Sequence, residues 1–220
     1  MRLQSAIFDM DGTLLDSMPT WRELGPTFLK EAGITATPEQ DRMLHTLADC
    51  DVIPYLREVC GLPWSQQEII DQIIQRMEIF YSSQVRPKPG LEKFLSILKM
   101  EGVWMYVATA THRRLTEKAL KTAGIDHYFR GIVTSADAGN HKSESADIYE
   151  MAMRRLQSNK RDTVVFEDAL HAIRTAKEDL AACFRMAARN GFEEGICNHF
   201  SALVPGHDDL FIVNPYGYAL

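Results

Sequence analysis

The sequence of 220 residues lacks any long hydrophobic run. No apolar stretch approaches the roughly 18–20 residues that a membrane-spanning helix requires. The opening residues, MRLQSAIFDMDGT, have neither the apolar segment nor the small-residue cleavage site of a secretory signal. We therefore expect a cytoplasmic protein with no membrane partner.

An excess of positive charge is also missing. Lysine and arginine total 24 against 30 acidic residues, which gives a net charge of −6. Because a nucleic-acid footprint requires a basic face, this balance argues against a nucleic-acid partner. A protein of this charge that binds phosphate must supply local positive charge or a metal.

Cysteine is scarce, and its spacing carries no motif. The four cysteines lie far apart, and no pair has the short spacing of a zinc site or a redox pair. We expect free thiols at these positions: Cys50, Cys60, Cys183 and Cys197.

The sequence pattern that predicts secondary structure changes along the chain. Leu3–Phe8 is a short apolar run that predicts a buried strand, and four helical patterns follow up to Val85. After Pro87, strands and helices alternate, and runs such as VWMYVAT are apolar throughout, which is typical of strands buried on both faces. We predict an α/β protein with a Rossmann-like doubly wound parallel sheet. Its core would comprise residues 1–15 and 86–220, and an all-helical cap domain would be inserted at residues 16–85.

Individual elements have clear signals. Ser65 and Glu68 form a capping-box pattern at the start of a helix predicted over Ser65–Tyr81. The apolar residues of that helix recur at helical spacing: Ile69, Ile70, Ile73, Ile74, Met77, Phe80 and Tyr81. Strands are predicted over Val103–Thr109, Ile132–Ser135, Thr163–Phe166 and Cys183–Ala187, helices over Leu91–Glu101, Arg113–Ala123, Ala146–Gln157 and Ala169–Leu180, and an edge strand over Leu210–Val213.

Two carboxylates stand at the predicted end of the first strand. Asp9 and Asp11 are separated by one residue and followed by Gly12, which permits a tight turn. Like charges this close repel each other, and desolvation adds to the energetic cost. A cation between the two carboxylates would offset both effects. A turn that uses Asp and Gly only for local hydrogen bonds would give the same pattern.

A second apolar strand also ends in two acids. Glu167 and Asp168 follow the run TVVF. Asp168 has the residue type of a helix cap, and that structural explanation suffices for it alone. Together with the first acidic pair, however, these residues suggest an oxygen-ligand site for a hard cation, Mg²⁺.

These motifs resemble the haloacid dehalogenase superfamily, in its branch of β-phosphoglucomutase-like phosphatases with a helical cap of subfamily I. The family's first motif, D-x-D-G-T, is met in full by Asp9, Asp11, Gly12 and Thr13. The second and third motifs match Thr109 in VATAT and Lys142 in HKSESADIY, and the fourth matches Glu167 with Asp168 in VFEDALHAIRTA.

The resemblance implies a role for each matched position. Asp9 would be the nucleophile and Asp11 the proton shuttle. Thr109, the Ala110 backbone N–H and Lys142 would bind phosphate. Asp9, the Asp11 carbonyl and Asp168 would bind Mg²⁺, with Glu167 as an additional ligand or beside the metal. An acid at position 11 implies a phosphate ester as substrate, because the family's dehalogenases lack this acid.

The sequence departs from the family pattern at the third motif. Its usual phosphatase form is K-P-x-P-D, whereas Lys142 is followed by Ser-Glu-Ser-Ala and only then by Asp147. A surface lysine is the alternative interpretation of Lys142. In the cap, Trp21, Arg22 and His45 are candidates for substrate selection, although structural or merely exposed positions are the alternative for each.

The implied activity is magnesium-dependent hydrolysis of a small phosphorylated metabolite, resembling a sugar phosphate, by a monomer or weak dimer. The alternative is a phosphomutase of the β-phosphoglucomutase type, which returns the phosphoryl group to a sugar hydroxyl. A binding protein on the same fold would lack at least one catalytic residue of the four motifs, and none is missing.

Overall fold

The computed structural model describes residues 3–44, 47, 49–140, 142, 145–169, 172, 201–203 and 211–213. The chain divides into two compact units. One unit joins Met1–Asp16 to Arg86–Leu220, and the other is the continuous segment Ser17–Val85. Among the described residues, no helix is long and apolar enough to cross a membrane.

The first unit is built on a parallel sheet, as predicted. Its strands are β1 (Ser5–Phe8), β2 (Trp104–Thr109), β3 (Phe129–Thr134) and β4 (Thr163–Phe166), in the order β3-β2-β1-β4. All three strand pairs are parallel. The last residue of β1, Phe8, pairs with Val107 of β2 and with Phe166 of β4, so these strands end at the same edge of the sheet.

The central strands are buried on both faces, which explains why their sequences show no polar alternation. All four residues of β1 are buried, as are five of the six in β2. The α-helices with described bounds in this unit are α5 (Leu91–Met100), α6 (Arg113–Thr122), the short α7 (Ser135–Ala138) and α8 (Asp147–Leu156). Apolar residues of α8, such as Ile148 and Leu156, form one buried cluster with Ile7 of β1 and Val165 of β4. This close packing supports the edge of the sheet at which the strands end.

The second unit is helical in all its described elements, which are α1 (Met18–Glu31), α2 (Pro38–Leu44), α3 (Asp49–Glu58) and α4 (Gln66–Ser83). The predicted capping box is formed, because the Ser65 side chain accepts from the Glu68 N–H and the Glu68 carboxylate accepts from the Ser65 N–H. Of the apolar positions predicted on this helix, Ile69, Met77 and Tyr81 are buried, whereas the other four are only half-buried.

Two differences from the sequence prediction concern short elements. The third strand begins at Phe129, three residues before its predicted start, and ends at Thr134, whose hydroxyl caps α7 through the Asp137 N–H. In the C-terminal region, β5 (Ser201–Leu203) pairs antiparallel with β6 (Phe211–Val213), so the predicted edge strand is present in a separate sheet of its own. The strand predicted over 183–187 and nearly all of the helix predicted over 169–180 lie outside the described residues. Cys60 is a buried free thiol.

Candidate active site

Asp9 is held at the sheet edge by the backbone on either side of it. Its N–H donates to the Phe166 carbonyl at 2.9 Å, which extends the pairing of β1 with β4 by one residue. The chain then turns sharply through Gly12, whose φ is +84°, and the N–H groups of Leu14 and Leu15 both donate to the Met10 carbonyl. Asp9 itself is buried, with only 5 % of the residue exposed.

Asp11 is oriented by a residue that the sequence motifs did not single out. The Thr111 hydroxyl donates to Asp11 Oδ2 at 2.7 Å, although 100 positions separate the two residues. The Thr111 N–H in turn donates to the Thr109 hydroxyl at 3.1 Å. The residue two places beyond the second motif therefore links that motif to the first. Only its position beside Thr109 in the sequence could have indicated this.

Lys142 lies at the centre of the site. Its Nζ donates to Asp9 Oδ1 in a short contact and to Glu167 Oε2 at 2.9 Å, and the side chain is 7 % exposed. The altered third motif therefore still places a lysine against Asp9, and Lys142 is not a surface residue. A buried ammonium of this kind needs carboxylate partners, because the cost of its desolvation is large.

Glu167 and Asp168 have different surroundings. Glu167 accepts hydrogen bonds at both oxygens: Oε2 from Lys142 and from the Tyr149 hydroxyl at 2.7 Å, and Oε1 from the Ala169 N–H at 3.2 Å. Asp168 Oδ1 accepts from the Thr13 hydroxyl at 3.4 Å, which joins the fourth motif to the first. Tyr149 and Thr13 are both contacts that sequence reasoning did not predict.

The carboxylates of this site fit a magnesium ion. One oxygen atom from each of Asp9, Glu167 and Asp168 lies within 4.8 Å of the others. Three hard oxygen donors at this spacing, in a partly buried site, match the ligand preference of Mg²⁺. Asp11 contributes no side-chain oxygen to this group, and its backbone contact to a metal stays a prediction.

Burial of these charges shifts their protonation. Burial raises the pKa of Asp9 well above its ordinary value and the charge of Glu167 raises it further, while Lys142 lowers it in part. Burial, followed by the charge of Glu167, raises the pKa of Asp168 to about 7. Burial lowers the pKa of Lys142, but Asp9 and Glu167 raise it by more, so Lys142 remains protonated. The close approach of these carboxyl groups therefore disfavours their charged forms, and Lys142 offsets this only in part.

The remaining predicted positions fall into two groups. Thr109 is buried at the end of β2 and Ala110 is exposed directly after it, at the edge where the site lies. In the helical unit, the Trp21 indole N–H donates to the Tyr81 hydroxyl at 3.1 Å, and Arg22 is exposed. His45 lies outside the described residues.

This arrangement has the parts that phosphoryl transfer requires. The buried Asp9 carboxylate accepts from a protonated lysine, the Asp11 carboxylate is held by a threonine, and Asp9 also belongs to an oxygen cluster that could hold a cation. Positioning and charge stabilisation supply most of the catalysis in such reactions.

Comparisons with known proteins agree with this description. The chain is 25 % identical to a phosphorylated carbohydrates phosphatase of Thermotoga maritima over 175 residues, which cover 80 % of this chain and 81 % of the relative. It is also 25 % identical to the fructose-1-phosphate phosphatase YqaB of Escherichia coli, with 80 % and 92 % covered. The crystal structure of CbbY from Rhodobacter sphaeroides in complex with phosphate superposes with a TM-score of 0.67 at 24 % identity, covering 80 % and 82 % of the two chains.

The family model for haloacid dehalogenase-like hydrolases matches residues 6–184, a range that includes all four motifs of the site. The resemblance stated from the sequence is therefore confirmed, and the predicted class, phosphoric monoester hydrolase, agrees with the relatives. The chain belongs to the haloacid dehalogenase-like hydrolase family.

Proposed function

We propose that this protein is a magnesium-dependent phosphatase that hydrolyses a small phosphorylated metabolite, of the sugar-phosphate kind, through an aspartyl phosphate on Asp9. The observation that carries the proposal is the contact of the buried Asp9 carboxylate with Lys142, beside the oxygen cluster completed by Glu167 and Asp168. The relatives named for phosphorylated carbohydrates and for fructose 1-phosphate support the substrate class.

In the first half of the reaction, an Asp9 oxygen would form a bond to phosphorus while the ester P–O bond breaks. Asp11, held by the Thr111 hydroxyl, would donate its proton to the departing oxygen. Lys142, Thr109 and the Ala110 N–H would bind phosphate oxygens at the sheet edge. Bound Mg²⁺ would supply the positive charge that keeps Asp9 and Asp168 ionised and that offsets the charge on the phosphoryl group.

In the second half, the roles of the two aspartates would reverse. Asp11, now a carboxylate, would take a proton from water as the water oxygen bonds to phosphorus and the Asp9–phosphorus linkage breaks. This step regenerates both residues and releases inorganic phosphate. Asp9, Asp11 and Asp168 would hold the metal, with Glu167 beside it.

The helical segment Ser17–Val85 is proposed as the cap that selects the substrate and excludes water. Trp21, Arg22 and His45 stay predictions for this role. The identity of the acceptor, water or a sugar hydroxyl, depends on the same cap, so the phosphomutase alternative differs from the proposal in its product alone.

The test is a screen of phosphorylated metabolites for released phosphate, with Mg²⁺ and with a chelator in its place. We expect turnover of sugar phosphates that requires Mg²⁺ and returns when Mg²⁺ is restored. Failure to hydrolyse any phosphate ester in the presence of Mg²⁺ would contradict the proposal. Product analysis with β-glucose 1-phosphate separates the alternative, because a mutase yields glucose 6-phosphate without free phosphate.

A further inference from the structure

Tyr149 lies in the first turn of α8 and is fully buried in the core of the sheet unit. A buried tyrosine hydroxyl needs a hydrogen-bond partner. The partner here is the Glu167 carboxylate, whose Oε2 accepts the hydroxyl at 2.7 Å. The hydroxyl of a core residue therefore points into the active site.

Glu167 links Tyr149 to Lys142, because it binds both residues. Its Oε2 accepts from Tyr149 and also from Lys142 at 2.9 Å, while Oε1 accepts from the Ala169 N–H. The carboxylate is thus fixed at both of its oxygens. Lys142 then donates to Asp9, so a continuous chain of hydrogen bonds runs from Tyr149 through Glu167 and Lys142 to the nucleophile.

The tyrosine ring also lies near the same lysine. Lys142 Nζ lies 5.9 Å from the ring centroid, within the range of a cation–π interaction. Lysine is a flexible side chain that loses much conformational freedom when it is held in one place. Tyr149 therefore restrains Lys142 twice, by its ring directly and by its hydroxyl through Glu167.

We propose that Tyr149 is a positioning residue, whose hydroxyl holds Glu167 so that Lys142 stays against Asp9. The inference rests on the proposed function, in which Lys142 stabilises the phosphoryl group transferred to Asp9. The competing explanation is that the hydroxyl only satisfies its own burial, in which case its removal changes stability and leaves catalysis alone.

The Tyr149→Phe variant separates the two explanations because it keeps the ring and removes the hydroxyl. Loss of such an outer contact reduces activity by about 10- to 100-fold in comparable sites, and we expect a fall in kcat at the low end of this range. The KM for the same phosphate ester stays within about twofold, since the substrate contacts are retained. The matched control is Tyr106→Phe, which removes a hydroxyl from another tyrosine of the same buried cluster.

A double-mutant cycle with Glu167→Gln tests the route of the effect. The neutral amide forms no ion pair with Lys142, so the tyrosine hydroxyl no longer steers the lysine. We expect Tyr149→Phe to lower kcat in the wild-type background and to change it little in the Glu167→Gln background. Equal effects in both backgrounds would overturn the proposal.

A second readout does not depend on turnover. The acylation rate of Lys142 by a small amine-specific reagent is measured by peptide mass spectrometry, with the exposed Lys93 in the same sample as reference. We expect the rate to rise severalfold in Tyr149→Phe and to stay at the wild-type value in Tyr106→Phe. An unchanged rate together with an unchanged kcat would refute the positioning role. If the wild type hydrolyses no phosphate ester while acylation of Lys142 still rises in Tyr149→Phe, the proposed function alone is refuted.

Discussion

Replacement of Asp9 by Asn is expected to abolish phosphate release, with a fall in kcat of at least about 10⁴-fold, as for other removed nucleophiles. The amide keeps the size of the carboxylate but cannot form the acyl phosphate. Its effect on folding is small, because burial disfavours the charged form of Asp9 and because Glu167 still pairs with Lys142. The variant should therefore be folded, with thermal stability close to that of the wild type.

The control is Asp126→Asn, which makes the same replacement at an exposed position outside the site. Steady-state hydrolysis of a generic aryl phosphate in Mg²⁺ measures both variants. Asp126→Asn should retain wild-type turnover. An Asp9→Asn variant that is folded and keeps more than a small fraction of the activity would rule out Asp9 as the nucleophile.

Replacement of Lys142 by Met is expected to reduce both activity and stability. Activity falls by about 10²–10³-fold, the loss found when one preorganised donor to a developing charge is removed. The free energy of unfolding in the absence of divalent metal falls by about 3–5 kcal/mol, because Asp9 and Glu167 remain buried without their partner. Lys160→Met is the control, since its exposed ion pair with Glu150 contributes about 1 kcal/mol or less.

The loss of unfolding free energy in Lys142→Met is expected to be larger at high pH than at low pH. The pKa of Asp9 is already raised by burial, and removal of Lys142 raises it further. A carboxyl with a raised folded-state pKa binds its proton more tightly when folded, so its destabilising effect grows as pH rises. Denaturant unfolding of variant and wild type from about pH 8 to about pH 5 should show the gap narrowing at low pH. A gap that widens towards low pH would contradict the account of Lys142.

The sequence predicted the parts of the site that depend on local pattern and strand order. Asp9 and Glu167 each follow a short apolar run, and parallel pairing of those runs places them side by side. Lys142 was predicted from the resemblance to the family's third motif, although the residues that normally follow the lysine are absent. The ends of strands and the order of motifs can both be recognised in a single amino-acid sequence.

The contacts made by Thr111 and Tyr149 could not be predicted in this way. Each joins residues whose closeness depends on side-chain direction in the folded core, and neither residue type is unusual at its position. A buried tyrosine in an amphipathic helix predicts core packing, and only the 2.7 Å contact shows that its hydroxyl is directed to the site. The half-buried positions of α4, such as Ile73, show the same limit, because helical periodicity does not state how much of a face is covered.

The central claim is that Asp9 carries the phosphoryl group, and the most direct measurement is to trap it there. An Asp11→Asn variant treated with an aryl phosphate should still be phosphorylated, because this leaving group needs little protonation, but should lose the base that activates water. After an acid quench, peptide mass spectrometry should find one phosphoryl group on Asp9, and borohydride should reduce that position to the alcohol. Turnover of the aryl phosphate with no phosphoryl group on Asp9, or with the group on another residue, would contradict the account.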